Sequence, residues 1–182
     1  MRGPSLSAAL LVVVAAGLVA LGGRVARGEP GHDVATVFHV AKSENRNQVH
    51  YGVHLDAACS PVGAAPVFAY WRMLERGPLA TEPLLSREVG AYGVAEPQVV
   101  ERGADGGRVT LRLRALPSRP ITIETRARDG VCEATATMAI GGAAASLRSV
   151  YAQLRWPFGV DHLVLSGRSL ANGKAVEERV AP

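Results

Sequence analysis

The chain has 182 residues, with 20 Lys and Arg, 16 Asp and Glu, and two cysteines, Cys59 and Cys132. Three of the basic residues and none of the acidic ones fall within residues 1–28, so the remainder balances 17 basic against 16 acidic residues. That balance argues against a nucleic-acid partner, which needs a clustered basic excess, and the remaining length is that of one ordinary domain.

Residues 1–28 have the parts of a secretory signal: Arg2, an apolar run from Ala8 to Leu21, then small residues. The run is short of the ~20 apolar residues a membrane helix requires. Cleavage is predicted after Gly28 or Gly22, leaving 29–182 as a single β-rich domain in the periplasm or outside the cell, with no stable membrane span. In such a compartment Cys59 and Cys132 are expected to form one disulfide.

Period-two alternation dominates the rest, and this is the signature of antiparallel strands. Val34 to Ser43 and Asn47 to Leu55 are predicted to pair across a turn at Glu44-Asn45-Arg46. With a three-residue turn, His39 faces Tyr51 and Ala41 faces Val49, while Phe38, Val40 and Lys42 share the other face with Gln48, His50 and His54. Ala65 to Leu74 is apolar on both faces and is predicted to be a strand covered on both sides. Thr81-Glu82-Pro83 reads as the start of a short helix near residues 82–90. Asp105-Gly106-Gly107, Asp129-Gly130 and Asn172-Gly173 mark three further hairpin turns. Between the first two, Val109, Leu111 and Leu113 alternate with Thr110, Arg112 and Arg114, so one sheet face is wet. Pro117 and Pro120 bracket a link between strands, and Gly141 to Ala145 reads as a turn. Ala145 to Arg155 fits a helical or an alternating pattern, and its neighbours favour strand. The predicted fold is all-β and mainly antiparallel, a curled sheet forming a barrel or a β-sandwich, with one short helix.

Two segments hold most of the chemistry. Lys42 to Tyr51, KSENRNQVHY, gathers cationic, amide and imidazole groups, which makes Lys42, Asn45, Arg46 and His50 candidate ligand contacts. Phe68 to Arg72, FAYWR, adds Tyr70 and Trp71 as stacking surfaces and Arg72 as a fork for a carboxylate or phosphate. Tyr92 is a third stacking candidate. The competing reading is a hairpin and a core strand whose polar groups serve turns and packing. No cofactor is expected, and no metal set: His50 and His54 on one strand lie about 13 Å apart, too far to share an ion. No catalytic residue is assigned, since the chain lacks a Gly-x-Ser-x-Gly elbow, a P-loop and a dinucleotide fingerprint.

Phe38-x-Val40-Ala41-Lys42-Ser43-x-Asn45-Arg46-Asn47-x-Val49-His50-Tyr51, Pro66 to Arg72, Ala91-Tyr92-Gly93, Leu113 to Pro117 and Asn172-Gly173-Lys174 together resemble a family of bacterial exported proteins, the domain of unknown function numbered 4833. The resemblance covers nearly all of 29–182. It implies export and a single β-rich domain and supplies no mechanism or functional residue. The expected function is that of a non-enzymatic exported domain of the cell envelope that binds a small ligand. The alternatives are an envelope protein-protein interaction module, marked by an exposed patch around Leu84, Leu85 and Val89, and a hydrolase of unrecognised type.

Overall fold

The computed structural model describes residues 33–155 and 159–181, so the signal expected over 1–28 lies outside the described residues. The strands are β1 (Val34–Lys42), β2 (Asn45–Val53), β3 (Val67–Arg72), β4 (Thr81–Pro83), β5 (Val94–Gly103), β6 (Gly106–Leu113), β7 (Leu116–Arg128), β8 (Val131–Ile140), β9 (Ala143–Arg155), β10 (Gly159–Ser169) and β11 (Ala175–Val180), with one helix, α1 (Ser86–Tyr92). The alternation seen in the sequence is the burial pattern: Val109, Leu111, Leu113, Ile121 and Ile123 point into the core while Arg108, Arg112, Glu124 and Arg126 are exposed. The β7–β8 turn has Asp129 at φ 52° and Gly130 at φ 75°, the two successive positive angles of a tight hairpin.

One mixed sheet runs β4-β3-β2-β1-β9-β8-β7-β6-β5, and β10 with β11 adds to the other edge of β9. The long strand β9 is where the sheet forks. Its first residues, Ala143 to Ser146, pair antiparallel with β8, and Ser149 to Ala152 pair parallel with β1 on that same edge. The two arms fold over one another, and their inward residues make a single core that includes Phe38, Tyr51, Leu111, Ile123, Ile140 and Leu165. The sheet does not close into a barrel. Where closure would need a ladder between β3 and β5, one side chain stands in: Gln98 Oε1 accepts the Val67 N–H at 3.0 Å and Nε2 donates to the Val67 carbonyl at 3.2 Å.

The arms are also tied covalently. Cys59, in the connection after β2, is bonded to Cys132 on β8 with a Cα separation of 5.3 Å. Thr125 Oγ1 donates to the Cys59 carbonyl at 2.8 Å, and Arg102 Nε donates to the Pro61 carbonyl at 2.9 Å. Tyr51, fully buried, spans the interior and donates its hydroxyl to the Tyr92 carbonyl at 2.6 Å.

Four expectations need correction, and three of them trace to local chain geometry. The β1–β2 turn is Ser43-Glu44, with Lys42 opposite Asn45 and an irregularity before Ala41 meets Gln48. His39 therefore faces His50 and Phe38 faces Tyr51, which puts Phe38, Val40 and Lys42 on the inner face with Val49 and Tyr51. A shift of one residue in register exchanges the faces of a strand. Thr81–Pro83 is not the helix start but a short strand on the edge of β3, and α1 begins at Ser86. Pro83 is tolerated there because an edge strand can do without one N–H. Pro117 and Pro120 lie inside β7, in the stretch between the Leu113–Leu116 and Leu111–Ile121 pairs where the ladder with β6 is interrupted. The fourth correction concerns β3. Val67 and Trp71 are buried while Phe68, Ala69 and Tyr70 are half-exposed, so β3 is covered on one face only. Ala145 to Arg155 is strand, as its neighbours suggested.

Candidate functional site

The register of the first hairpin decides which side chains meet. Lys42 ends β1 pointing inward, and its side chain is only 17% exposed. Its ammonium lies 5.3 Å from the centroid of the Trp71 ring and 3.4 Å from Glu44 Oε2. Trp71, inward on β3, donates Nε1–H to Glu88 Oε2 of α1 at 2.9 Å, and the Tyr92 ring meets it edge-on at 5.3 Å. Lys42, Trp71 and Glu88, together with Asn45, Asn47 and Leu85, line a cleft of about 200 Å³ between the first hairpin and α1.

Each wall is held by the chain's own hydrogen bonds. Asn45 Oδ1 accepts the Asn47 N–H at 3.1 Å, and Asn47 Oδ1 accepts the Glu75 N–H at 3.2 Å, which shapes the hairpin tip. Glu88 Oε2 also accepts the Leu85 N–H at 2.9 Å and so caps the first turn of α1. Burial works against ionisation of Glu88. The bonds from Leu85 and Trp71, with the positive charges of Arg87 and Lys42, outweigh it and hold this carboxyl below the usual glutamate range.

The remaining candidates lie elsewhere. His50 and Tyr70 point from the opposite face of β2 and β3, where His39, His50, Tyr70, Phe68 and His54 form a row of rings with neighbouring centroids 4.3–6.1 Å apart. His50 Nε2 lies 3.0 Å from Gln48 Oε1, so it carries the proton and donates; Nδ1 then accepts from the Thr36 hydroxyl at 2.9 Å. Burial, with His39 and Arg72 nearby, lowers the pKa of His50 to about 4. Arg72 spends its fork on the Pro78 carbonyl, through Nε at 3.2 Å and Nη2 at 2.9 Å. Arg46 is exposed at the hairpin tip, where its backbone N–H donates to Glu75 Oε1 at 3.3 Å. The eight candidates thus divide: Lys42, Asn45 and Trp71 line the cleft with Tyr92 behind Trp71, while Arg46, His50, Tyr70 and Arg72 do not reach it.

Residues 38–179 match the family described as a domain of unknown function (DUF4833). The chain belongs to that family. No curated protein and no solved structure matches it.

In this DUF4833 domain the cleft also holds residues that the sequence does not single out as ligand contacts, among them Asn47, Glu82 and Glu88. For Asn47 the i, i+2 spacing from Asn45 is the signal that both belong to one wall. Among the described residues, no histidine holds both a carboxylate and a hydroxyl as hydrogen-bond partners. His54 pairs with Asp33, His162 with Asp161 and Arg179, and His50 with Thr36 and Gln48. What the cleft offers is recognition: a cation, a carboxylate, two amides and an indole held in place.

Proposed function

We propose that this DUF4833 domain is a non-enzymatic, exported binding module of the cell envelope that holds a small polar ligand in the cleft between the first hairpin and α1. The observation that carries the reading is Lys42. Its side chain is only 17% exposed, and the one salt bridge it makes among the described residues is to Glu44, itself 62% exposed; an ion pair open to water contributes at most about 1 kcal/mol, so the cation is weakly neutralised. A ligand that brings an anionic or strongly accepting group to Lys42 gains an interaction that the free protein leaves largely unmade. The Cys59–Cys132 bond supports export, since such bonds persist in oxidising compartments. Among the described residues no helix is long and apolar enough to cross a membrane.

The test is a thermal-shift screen of the purified protein against sugars, lipids, nucleotides, amino acids and cell-wall fragments. A ligand bound only by the native state at a hundred times its Kd stabilises by about 2.7 kcal/mol, which raises Tm measurably. Stabilisation by one class, lost in Lys42→Ala while that variant stays folded, is the expected result. A class that stabilises the wild type and Lys42→Ala alike places its site elsewhere.

A second reading has its own observation. Leu85, at the cleft rim just before α1, is 51% exposed and Val89, on α1, 37%, beside a half-buried Leu84. Adjacent apolar side chains open to water suit a protein partner. If no small molecule shifts Tm and Val89→Asp, outside the cleft, abolishes capture of an envelope protein, the interaction module is the better account.

A further inference from the structure

The cleft walls differ in which hydrogen-bonding capacity they leave unused. On the hairpin wall the unused groups are donors. The Lys42 ammonium has three N–H groups and meets one oxygen, that of Glu44. The side-chain amides of Asn45 and Asn47 accept through Oδ1, and their NH₂ groups carry no hydrogen bond among the described residues. On the α1 wall the unused group is an acceptor. Both bonds to Glu88 arrive at Oε2, from Trp71 Nε1 and from the Leu85 N–H, so Oε1 takes part in neither. The other acid at the rim, Glu82, is spent on Arg76. The rest of the lining is made by the side chains of Trp71, Met73, Pro83 and Leu85.

From this polarity we propose that the ligand of the cleft is a small zwitterion, a free α-amino acid. Its carboxylate lies against Lys42, Asn45 and Asn47, and its ammonium against Glu88 Oε1. The proposal rests on the reading of the cleft as a binding site and adds the ligand's chemical class. Size agrees with it: about 200 Å³ is below the range that encloses drug-sized ligands and suits a molecule of roughly ten heavy atoms. Charge agrees as well. A ligand with only an anion leaves Glu88 facing an apolar group, and a ligand with only a cation is repelled by Lys42; the zwitterion satisfies both.

Calorimetric titration of the purified protein with L- and D-amino acids decides this, each measured beside the matching carboxylate without its amine and the matching amine without its carboxylate. For alanine these are propionate and ethylamine. At least one amino acid is expected to bind about tenfold or more tighter than both of its one-charge analogues, the factor for one charge-assisted hydrogen bond. Glu88→Gln, which keeps an oxygen for Trp71, should bring the amino acid down to the level of its carboxylate analogue. Lys42→Gln should weaken amino acid and carboxylate together. A carboxylate that binds as tightly as its amino acid overturns the proposal and leaves an anion site. An amine that does so overturns it in the opposite sense. If no amino acid binds, the zwitterion is refuted, whereas binding of a sugar, lipid or nucleotide in the Lys42-dependent screen would leave the cleft a binding site of another class.

Discussion

His50 is 5% exposed on a sheet face that is otherwise half open, walled by His39, Tyr70, Gln48, Thr36 and Arg72. The fold favours its neutral form. The folded pKa is about 4 and the unfolded value is 6.5, so between them the unfolded chain binds more protons and stability rises with pH. Denaturant midpoints should therefore be flat above about pH 6.5 and fall as the pH drops toward 4, and His50→Gln should flatten that slope. His39, also lowered by burial, adds to the effect in the wild type. At this scale the sequence was partly informative. Lys42 and Asn45 stood out as charged and amide groups beside a strand pattern, and Trp71 as a stacking surface. Which of them share a face did not, because that depends on whether the turn holds two residues or three.

Among the elements, β5 shows how a single side chain replaces a ladder. Gln98 gives Val67 on β3 both an acceptor and a donor, at a buried position where no strand lies alongside. Gln98→Ala should destabilise the fold by about 1–3 kcal/mol, the cost of leaving buried backbone groups unsatisfied, as read from urea unfolding. Gln98→Glu should be costly too, since it places a charge against the Val67 carbonyl. Neither the seam nor the role of Gln98 was visible in advance, because alternation reports which face of a strand is buried and not which strand lies beside it. Hairpins behaved differently. Asp129-Gly130 marked its turn correctly because positive φ at two successive residues restricts composition strongly. At Ser43-Glu44 the neighbouring asparagines, Asn45 and Asn47, drew the predicted turn toward themselves although they shape the strand that follows it.

For the molecule as a whole, the Cys59–Cys132 bond links residues 73 apart and joins the two arms of the forked sheet. Cys59→Ser with Cys132→Ser should lower stability by about 4 kcal/mol in the chain-entropy account, measured as the loss in unfolding free energy under matched conditions. The cleft lies on the first arm and its facing helix, remote from the bond, so a variant that stays folded should bind the amino acid proposed for the cleft as the wild type does. All-β architecture and the disulfide were legible because alternation and cysteine count are whole-chain properties. The fork at β9 was not, since parallel pairing between β1 and a strand more than a hundred residues later leaves no local trace.

That parallel pairing also bears on the order in which the chain folds. The hairpins from β5 to β8 join neighbours in sequence and close quickly, whereas β1 has its second partner only after β9 has been made. Contacts so distant along the chain slow folding, since the entropy of closing the loop is lost before the contact forms. The β1–β9 ladder should therefore be among the last to acquire hydrogen-exchange protection during refolding, after the local hairpins of both arms. Until β9 docks, the chain is partly folded and one edge of β1 stays open.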